Sequence, residues 1–195
     1  IALELIRISG VPIAAPSANR SGRPSPTDAV TVREDIGEAV AIVLDGGPAK
    51  VGLESTVLDV SGESPVLLRP GGISKEEIET ALNMPILLPS DGNSLKRSPG
   101  TRYRHYAPKI PLLLADCSYS SESGGKKWAW IGTSEPTGSP FIKIIFKDTE
   151  EYAKELFRVL RLIEKSGAET IIAEIPDESG IGRALKDRLV RASGI

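Results

Sequence analysis

This sequence is organised around two segments, PSANRSGRPSPT at residues 16–27 and GLESTV at residues 52–57. Both are rich in glycine or proline and in short side chains that carry hydroxyl or amide groups. Glycine and proline fix tight turns, and short polar side chains offer hydrogen-bond donors close to the backbone. Two further segments contain arginine, RPGG at residues 69–72 and YRHYAP at residues 103–108. Fixed donors near arginines predict a polar site for a ligand that carries phosphate.

Apolar runs around these segments predict the secondary structure of the first 89 residues. The predicted elements are strands at 12–15, 39–44, 55–60 and 65–68, and helices at 1–7, 26–36 and 75–82. Ser25 or Thr27 is the expected N-cap of the second helix, and Ser74 with Glu77 forms a capping box for the third. The four residues between the last two strands favour a hairpin.

Composition divides the rest of the chain. Residues 90–110 lack hydrophobic periodicity and are rich in serine, glycine and proline, which predicts a linker. From residue 111 to 195, strands alternate with helices, which predicts a small doubly wound, Rossmann-like domain. Its predicted strands lie at 112–115, 127–132, 141–146 and 170–175, and its helices at 148–167 and 182–192.

Charge and residue counts argue against several classes of protein. The formal net charge of −2 gives no overall basic field to attract nucleic acid or a membrane surface. One cysteine, Cys117, allows no internal disulfide, and a single histidine, His105, cannot complete an all-protein zinc site with it. No apolar run reaches the length of a membrane span. We therefore expect a cytoplasmic protein.

The first seven residues predict a helix without an N-terminal cap. Residues 1–7 match the last turns of an amphipathic helix that Gly10 ends, and nothing caps that helix at Ile1. This pattern predicts that the natural sequence continues before Ile1. A frayed terminal helix is the alternative.

The candidate site residues each have a functional and a structural interpretation. Ser17 and Asn19 can present a hydroxyl and an amide to one ligand, or can bond their own turn. Ser25 can cap a helix and bind an anion there. Ser55 can contact a ligand or simply begin a strand. Arg69 can form bidentate hydrogen bonds with a phosphate, or can be a surface arginine before a turn.

Taken in order, the motifs resemble those of the threonylcarbamoyl-AMP synthases, the YrdC-type enzymes, in their long two-domain form. The matching segments are AAPSAN at 14–19, SGRPSPT at 21–27, DGG at 45–47, GLESTV at 52–57, LRPGG at 68–72, SPG at 98–100 and YRHYAP at 103–108. The resemblance is specific over residues 1–110 and looser beyond. It implies an α/β fold: part of a YrdC-like domain with a twisted mixed sheet (1–89), a linker (90–110) and a small Rossmann-like domain (111–195).

The resemblance also implies an activity. Such an enzyme is a nucleotidyltransferase that joins L-threonine, bicarbonate (or carbon dioxide) and ATP into threonylcarbamoyl-AMP and pyrophosphate. Partner proteins then transfer the threonylcarbamoyl group to an adenosine of certain transfer RNAs. Mg²⁺ would accompany ATP, held mainly by phosphate oxygens and water. No side-chain nucleophile and no protein-held metal are expected.

Residue roles follow from the same resemblance. It assigns ATP contacts to Ser17, Asn19, Ser25, Arg69 and Tyr106, and threonine contacts to Ser55 and the backbone of Ala15. Tyr106 would fold back from the linker over the nucleotide, and Tyr103 is the competing candidate for that position.

One departure from the family pattern matters. The family has an earlier half of its first domain, which contributes lysine, arginine and threonine-binding residues, and none of it lies before Ile1. We therefore expect these 195 residues alone to be inactive. Two alternative functions remain, a non-catalytic RNA-binding module and a carbamoyltransferase of the hydrogenase-maturation type. The second normally carries zinc-binding cysteine clusters, which a chain with one cysteine lacks.

Overall fold

A computed structural model describes residues 1–89, 106–118 and 127–194. Helix α1 spans Ala2–Ser9 and ends at Gly10, whose φ of 66° is the left-handed conformation that favours glycine. Helix α2 spans Ala29–Ile36 and continues into a short 3₁₀ turn, Gly37–Ala39. The expected first helix is therefore confirmed.

The start of α2 differs from the prediction. Its N-cap is Asp28, whose carboxylate accepts a hydrogen bond from the Thr31 N–H at 2.7 Å, and not Ser25 or Thr27. Ser25 precedes a proline, which keeps its backbone out of the helical region. Its hydroxyl is instead engaged with Glu54.

A hairpin and a capped helix complete the first 89 residues. Strand β1 (Val57–Asp59) pairs antiparallel with β2 (Val66–Arg69), and Val66 also forms a parallel bridge with Leu87. Helix α3 spans Lys75–Leu82 and begins with the predicted capping box, in which Ser74 and Glu77 bond each other's backbone. The hairpin and the box are confirmed.

Two predicted strands are wrong. Residues 12–15 and 39–44 form no sheet ladder with any described residue. A strand needs a neighbour to satisfy its backbone hydrogen bonds, and the described part of the chain offers none beside these segments. Their apolar side chains accordingly lie open to solvent, with Ile13 43% and Ile42 74% exposed.

Residues from 111 onward build a four-stranded parallel sheet. Its strands are β3 (Leu112–Ala115), β4 (Trp128–Gly132), β5 (Ile142–Ile145) and β6 (Thr170–Glu174), in the spatial order β3-β6-β4-β5. Helix α4 spans Thr149–Glu164 and α5 spans Gly182–Ser193. Asp148 caps α4 by accepting a hydrogen bond from the Glu151 N–H at 2.8 Å. The expected mixed α/β fold with a parallel sheet is confirmed.

Both described helices of this second part pack on the same face of the sheet. Leu156 and Leu160 of α4 and Leu185 of α5 are fully buried against alternate residues of the strands. The opposite face buries Trp128, Trp130 and Ile172. Among the described residues, the second helical layer of a doubly wound sheet is therefore not seen. None of the described helices is long and apolar enough to cross a membrane.

Helix α4 also docks the first part of the chain onto the second. Arg161 pairs with Asp35 at 2.6 Å and donates to the Pro24 carbonyl oxygen. Arg23 pairs with Glu164 at 2.6 Å. These side chains are largely buried, and Leu53 adds an apolar contact to the core beneath them. Leu53 thus joins the core of the second part, and the links through Arg23 and Arg161 are polar.

Candidate functional site

One cavity of about 670 Å³ lies where the two parts meet. It includes every residue to which the sequence assigned a binding role and adds Pro16, Arg23 and Glu54. The lining residues are Ala15, Pro16, Ser17, Asn19, Arg23, Ser25, Glu54, Ser55, Arg69 and Tyr106. Residues up to about ninety positions apart in the sequence therefore line the same cavity.

Asn19 braces the loop that forms one wall. Its Nδ2 donates to the carbonyl oxygens of Arg20 and Arg23 at 2.9 and 3.2 Å. Its Oδ1 is buried and has no hydrogen-bond partner in the described structure. Buried acceptors are normally satisfied, so this oxygen is suited to a donor on a ligand. The amide nitrogen of Asn19 thus has a structural role, and the predicted binding role would fall to its amide oxygen.

Ser25 and Glu54 form a hydrogen-bonded pair in the cavity. The Ser25 hydroxyl donates to Glu54 Oε1 at 2.7 Å. Its proton is therefore engaged, and its oxygen can accept from a ligand hydroxyl or N–H group. The sequence reasoning missed Glu54, although an acidic residue between Leu53 and Ser55 in the GLESTV segment was a visible signal.

Arg69 lies at the end of β2 and holds the loop that carries Ser55. Its Nε and Nη2 donate to the Ser55 carbonyl oxygen at 3.2 and 2.9 Å. Gly71 allows this close packing, because a Cβ there would come within 2.3 Å of the Ser55 carbonyl carbon. The residues assigned to ATP and to threonine are therefore in direct contact.

Tyr106 closes another side of the cavity in a strained conformation. Its φ is 65°, uncommon for an aromatic residue, and only 6% of its surface is exposed. Its ring stacks on Phe157 with centroids 5.2 Å apart, and the Ala107 N–H donates to the Gly22 carbonyl oxygen at 2.9 Å. Burial raises the pKa of the Tyr106 hydroxyl, so it stays protonated at neutral pH. Tyr103 lies outside the described residues.

A buried arginine behind the cavity was also missed. Arg188 of α5 has no exposed surface and donates to Glu54 Oε2 at 2.7 Å. Burial opposes its charge, but the carboxylates of Glu54 and Asp187 outweigh that effect and raise its pKa. Arg188 lies one turn from Leu185 and Ala192 on the apolar face of the helix. A charged residue on that face was the available signal.

The arrangement suits binding and charge neutralisation more than side-chain nucleophilic catalysis. Arg23 and Arg69 are the cationic residues of the wall, and Glu54 is the anionic one. Arg23 is paired with Glu164, and Glu54 is paired with Arg188. Three serines supply hydroxyls. The described lining residues include no histidine or lysine that could activate a serine. The described part of the chain also contains no group of three His, Cys, Asp or Glu residues suited to a metal ion.

Comparison with known proteins gives consistent matches. Residues 73–194 match the family model described as "Threonylcarbamoyl-AMP synthase, C-terminal domain". Residues 1–71 match a second model, whose description is "Telomere recombination" and which covers Sua5, YciO and YrdC proteins. The threonylcarbamoyl-AMP synthase of Bacillus subtilis (strain 168) is 41% identical over 210 residues, covering 100% of this chain and 60% of that protein.

Matches to Pyrococcus abyssi give the same result in sequence and in structure. The threonylcarbamoyl-AMP synthase of Pyrococcus abyssi is 39% identical over 211 residues, covering 100% of this chain and 61% of that protein. A crystal structure of P. abyssi Sua5 complexed with L-threonine superposes with a TM-score of 0.86 at 37% identity, covering 99% of this chain and 61% of that one. The chain thus spans about 60% of the length of these relatives.

Proposed function

Because this chain belongs to the threonylcarbamoyl-AMP synthase family, we propose that its protein forms threonylcarbamoyl-AMP and pyrophosphate from L-threonine, bicarbonate or carbon dioxide, and ATP. The proposal rests on one observation. The residues that the sequence assigned to ATP and to threonine line a single cavity. A site that joins two substrates must hold both within reach of each other.

The proposal divides the cavity between two ligands. Ser55 and the backbone of Ala15 would bind threonine, the amino acid bound in the P. abyssi relative. The ATP end would be formed by Ser17, Asn19, Ser25, Arg69 and Tyr106. The hydrogen bonds from Arg69 to the Ser55 carbonyl would then mark the border between the two.

The proposed chemistry needs positioning more than a protein nucleophile. The threonine amine forms a C–N bond with carbon dioxide and releases a proton to solvent, or reacts with bicarbonate with loss of water, to give a carbamate. A carbamate oxygen then attacks the α-phosphorus of ATP, and the bond to pyrophosphate breaks. Charge accumulates on the phosphate oxygens, where arginine donors are most useful. Arg69 and Arg23 are the described cationic groups on the wall.

Mg²⁺ belongs to the proposal as a companion of ATP. Glu54 is the one described carboxylate on the wall, and it is already bonded to Ser25 and Arg188. One carboxylate and several hydroxyls fit an ion held mainly by phosphate and water, not an all-protein site. When bound, the ion would neutralise charge on the polyphosphate.

Downstream steps and location are part of the same proposal. Threonylcarbamoyl-AMP is a mixed anhydride that water destroys, so partner proteins would take it directly to the transfer RNA. The site of action would be the cytoplasm.

The test is made on the whole protein. We expect pyrophosphate release that requires threonine, ATP and bicarbonate together, and ATP binding that threonine strengthens in isothermal titration. Tight RNA binding with no response to nucleotide would favour the RNA-binding module instead. Release of pyrophosphate without threonine would refute the proposed reaction.

A further inference from the structure

A buried arginine of the second part holds three groups at the edge of the cavity. Arg188 is not itself a lining residue, and none of its surface is exposed. Its Nε donates to Glu54 Oε2 at 2.7 Å, and its Nη2 donates to the Pro70 carbonyl oxygen at 3.0 Å. Its Cζ lies 5.3 Å from the centre of the Tyr106 ring. Its Nη1 also pairs with the neighbouring Asp187 at 2.5 Å. One guanidinium thus contacts two carboxylates, a loop carbonyl and an aromatic ring.

Each contact fixes a different part of the wall. Glu54 in turn accepts the Ser25 hydroxyl, so Arg188 orients Ser25 through it. Pro70 directly follows Arg69, so holding its carbonyl also restrains the end of β2. Tyr106 adopts a strained φ of 65°, which persists only where packing holds it.

The charge of Arg188 has a second consequence. Glu54 places a carboxylate in a cavity that we assign to an anionic nucleotide, and an uncompensated carboxylate there would repel the ligand. The buried guanidinium of Arg188 offsets that charge, while Asp187, its other carboxylate partner, is also paired with Arg191. The pair therefore lets Glu54 orient Ser25 without opposing the phosphate groups.

We propose that Arg188 is a positioning residue for the nucleotide end of the site, acting through Glu54 and Tyr106. The inference rests on the proposed function and gives the last helix a role in it. A purely structural role, joining the two parts of the chain, would use the same contacts. The two roles differ in what happens to ligand binding in a variant that still folds.

The test compares two cationic residues of the same helix in the whole protein. Lys186 pairs with the exposed Glu178 and does not line the cavity, so Lys186→Met is the matched control. We expect Arg188→Met to raise the KM for ATP about tenfold or more, because a buried charged bond is lost. The KM for threonine should change by less than about threefold, and the control should change neither by more than about twofold.

Two further variants separate positioning from structure. Arg188→Lys keeps the charge but lacks the planar guanidinium group that binds Glu54 and Pro70 together. Its KM for ATP should therefore lie between those of the wild type and Arg188→Met. Adding Glu54→Gln to Arg188→Met should recover part of the ATP affinity, because it removes the carboxylate charge that Arg188 no longer neutralises.

The outcomes are distinct. Arg188 variants that unfold at lower temperature but keep the wild-type KM for ATP overturn the inference and leave the proposed function intact. If Arg188→Met does not fold, an unchanged KM for ATP in Arg188→Lys has the same meaning. A wild-type protein that releases no pyrophosphate refutes the proposed function, and this inference with it.

Discussion

Ser55 and Arg69 meet at the proposed border between threonine and ATP. The Ser55 carbonyl accepts from the Arg69 guanidinium, which leaves the Ser55 hydroxyl to the cavity wall. Removing the hydroxyl should therefore affect one ligand, and removing the guanidinium should affect mainly the other.

Ser55→Ala should weaken threonine binding by about 1 kcal/mol, the worth of one neutral hydrogen bond. ATP binding should stay within about twofold, because the backbone carbonyl that Arg69 contacts remains in place. Titration of each ligand into the whole protein measures both constants. Ser64→Ala, in the exposed hairpin turn, is the control. An unchanged threonine constant would show that Ser55 has no binding role in the loop before β1.

Arg69→Ala should weaken ATP binding by about 1.5–3 kcal/mol, as expected for a hydrogen bond to a charged group. Threonine binding should weaken less, because it would be affected only through the loosened loop that carries Ser55. Arg158→Ala is a suitable control, since Arg158 lies on the exposed side of α4 and pairs with Glu155. An ATP effect no larger than that of the control would make Arg69 a structural brace only.

At this scale, sequence reasoning identified residues that the fold brings together, and their binding roles remain predictions. Serine, asparagine and arginine in glycine-rich loops pointed to the cavity, and all of them line it. It missed Glu54 and Arg188 because their importance comes from a contact across 134 positions of sequence. The N-cap of α2 was misassigned because several adjacent residues could cap a helix, and only Asp28 has its carboxylate at the Thr31 N–H.

At the scale of elements, the prediction held where an element carries its own stabilisation. The capping box of α3 and the amphipathic pattern of α4 are local signals, and both helices form where expected. The predicted strands at 12–15 and 39–44 depend on a neighbour, which periodicity cannot supply. The parallel order β3-β6-β4-β5 likewise depends on contacts far apart in sequence.

Gly52 is where one element meets another most closely. Its φ is 83°, and a Cβ there would lie 2.1 Å from the Lys154 carbonyl oxygen of α4. Gly47 has the same φ of 83° with nothing near its missing Cβ. Both Gly→Ala changes should cost about 1–2 kcal/mol for the left-handed backbone. Gly52→Ala should cost clearly more, because α4 must move away.

Chemical unfolding of both variants of the whole protein measures this difference. Because Gly47→Ala has the same backbone strain, the excess loss in Gly52→Ala reports the contact with α4 alone. Equal losses in the two variants would show that α4 does not pack against this loop in solution.

At the scale of the whole molecule, ion pairs fasten the first part to α4. Arg161 and Asp35 are each about 9% exposed and lie 2.6 Å apart. Nearby, Lys165 pairs with Glu34 at 2.8 Å, but both side chains are largely exposed. Exposed ion pairs contribute little to stability, whereas breaking a buried pair leaves a buried charge without a partner. The docking of the two parts should therefore depend on Asp35 far more than on its neighbour Glu34.

This difference predicts a specific dependence on pH. Burial opposes the charge of Asp35, but the bond and the charge of Arg161 outweigh it and hold its pKa below the ordinary value of about 3.9. A carboxyl whose pKa is lower in the folded state stabilises the fold above the unfolded pKa. That contribution is lost as pH falls through the folded pKa.

Asp35→Asn should thus lower the free energy of unfolding of the whole protein by roughly 3 kcal/mol at pH 7. The gap between wild type and variant should stay constant down to about pH 4 and then shrink as Asp35 of the wild type takes up its proton. Denaturant unfolding from pH 7 to 3 measures it, with Glu34→Gln as the control that shows a small gap throughout. A gap for Asp35→Asn that does not change between pH 5 and 3 would mean that the carboxylate charge does not hold α4 in place.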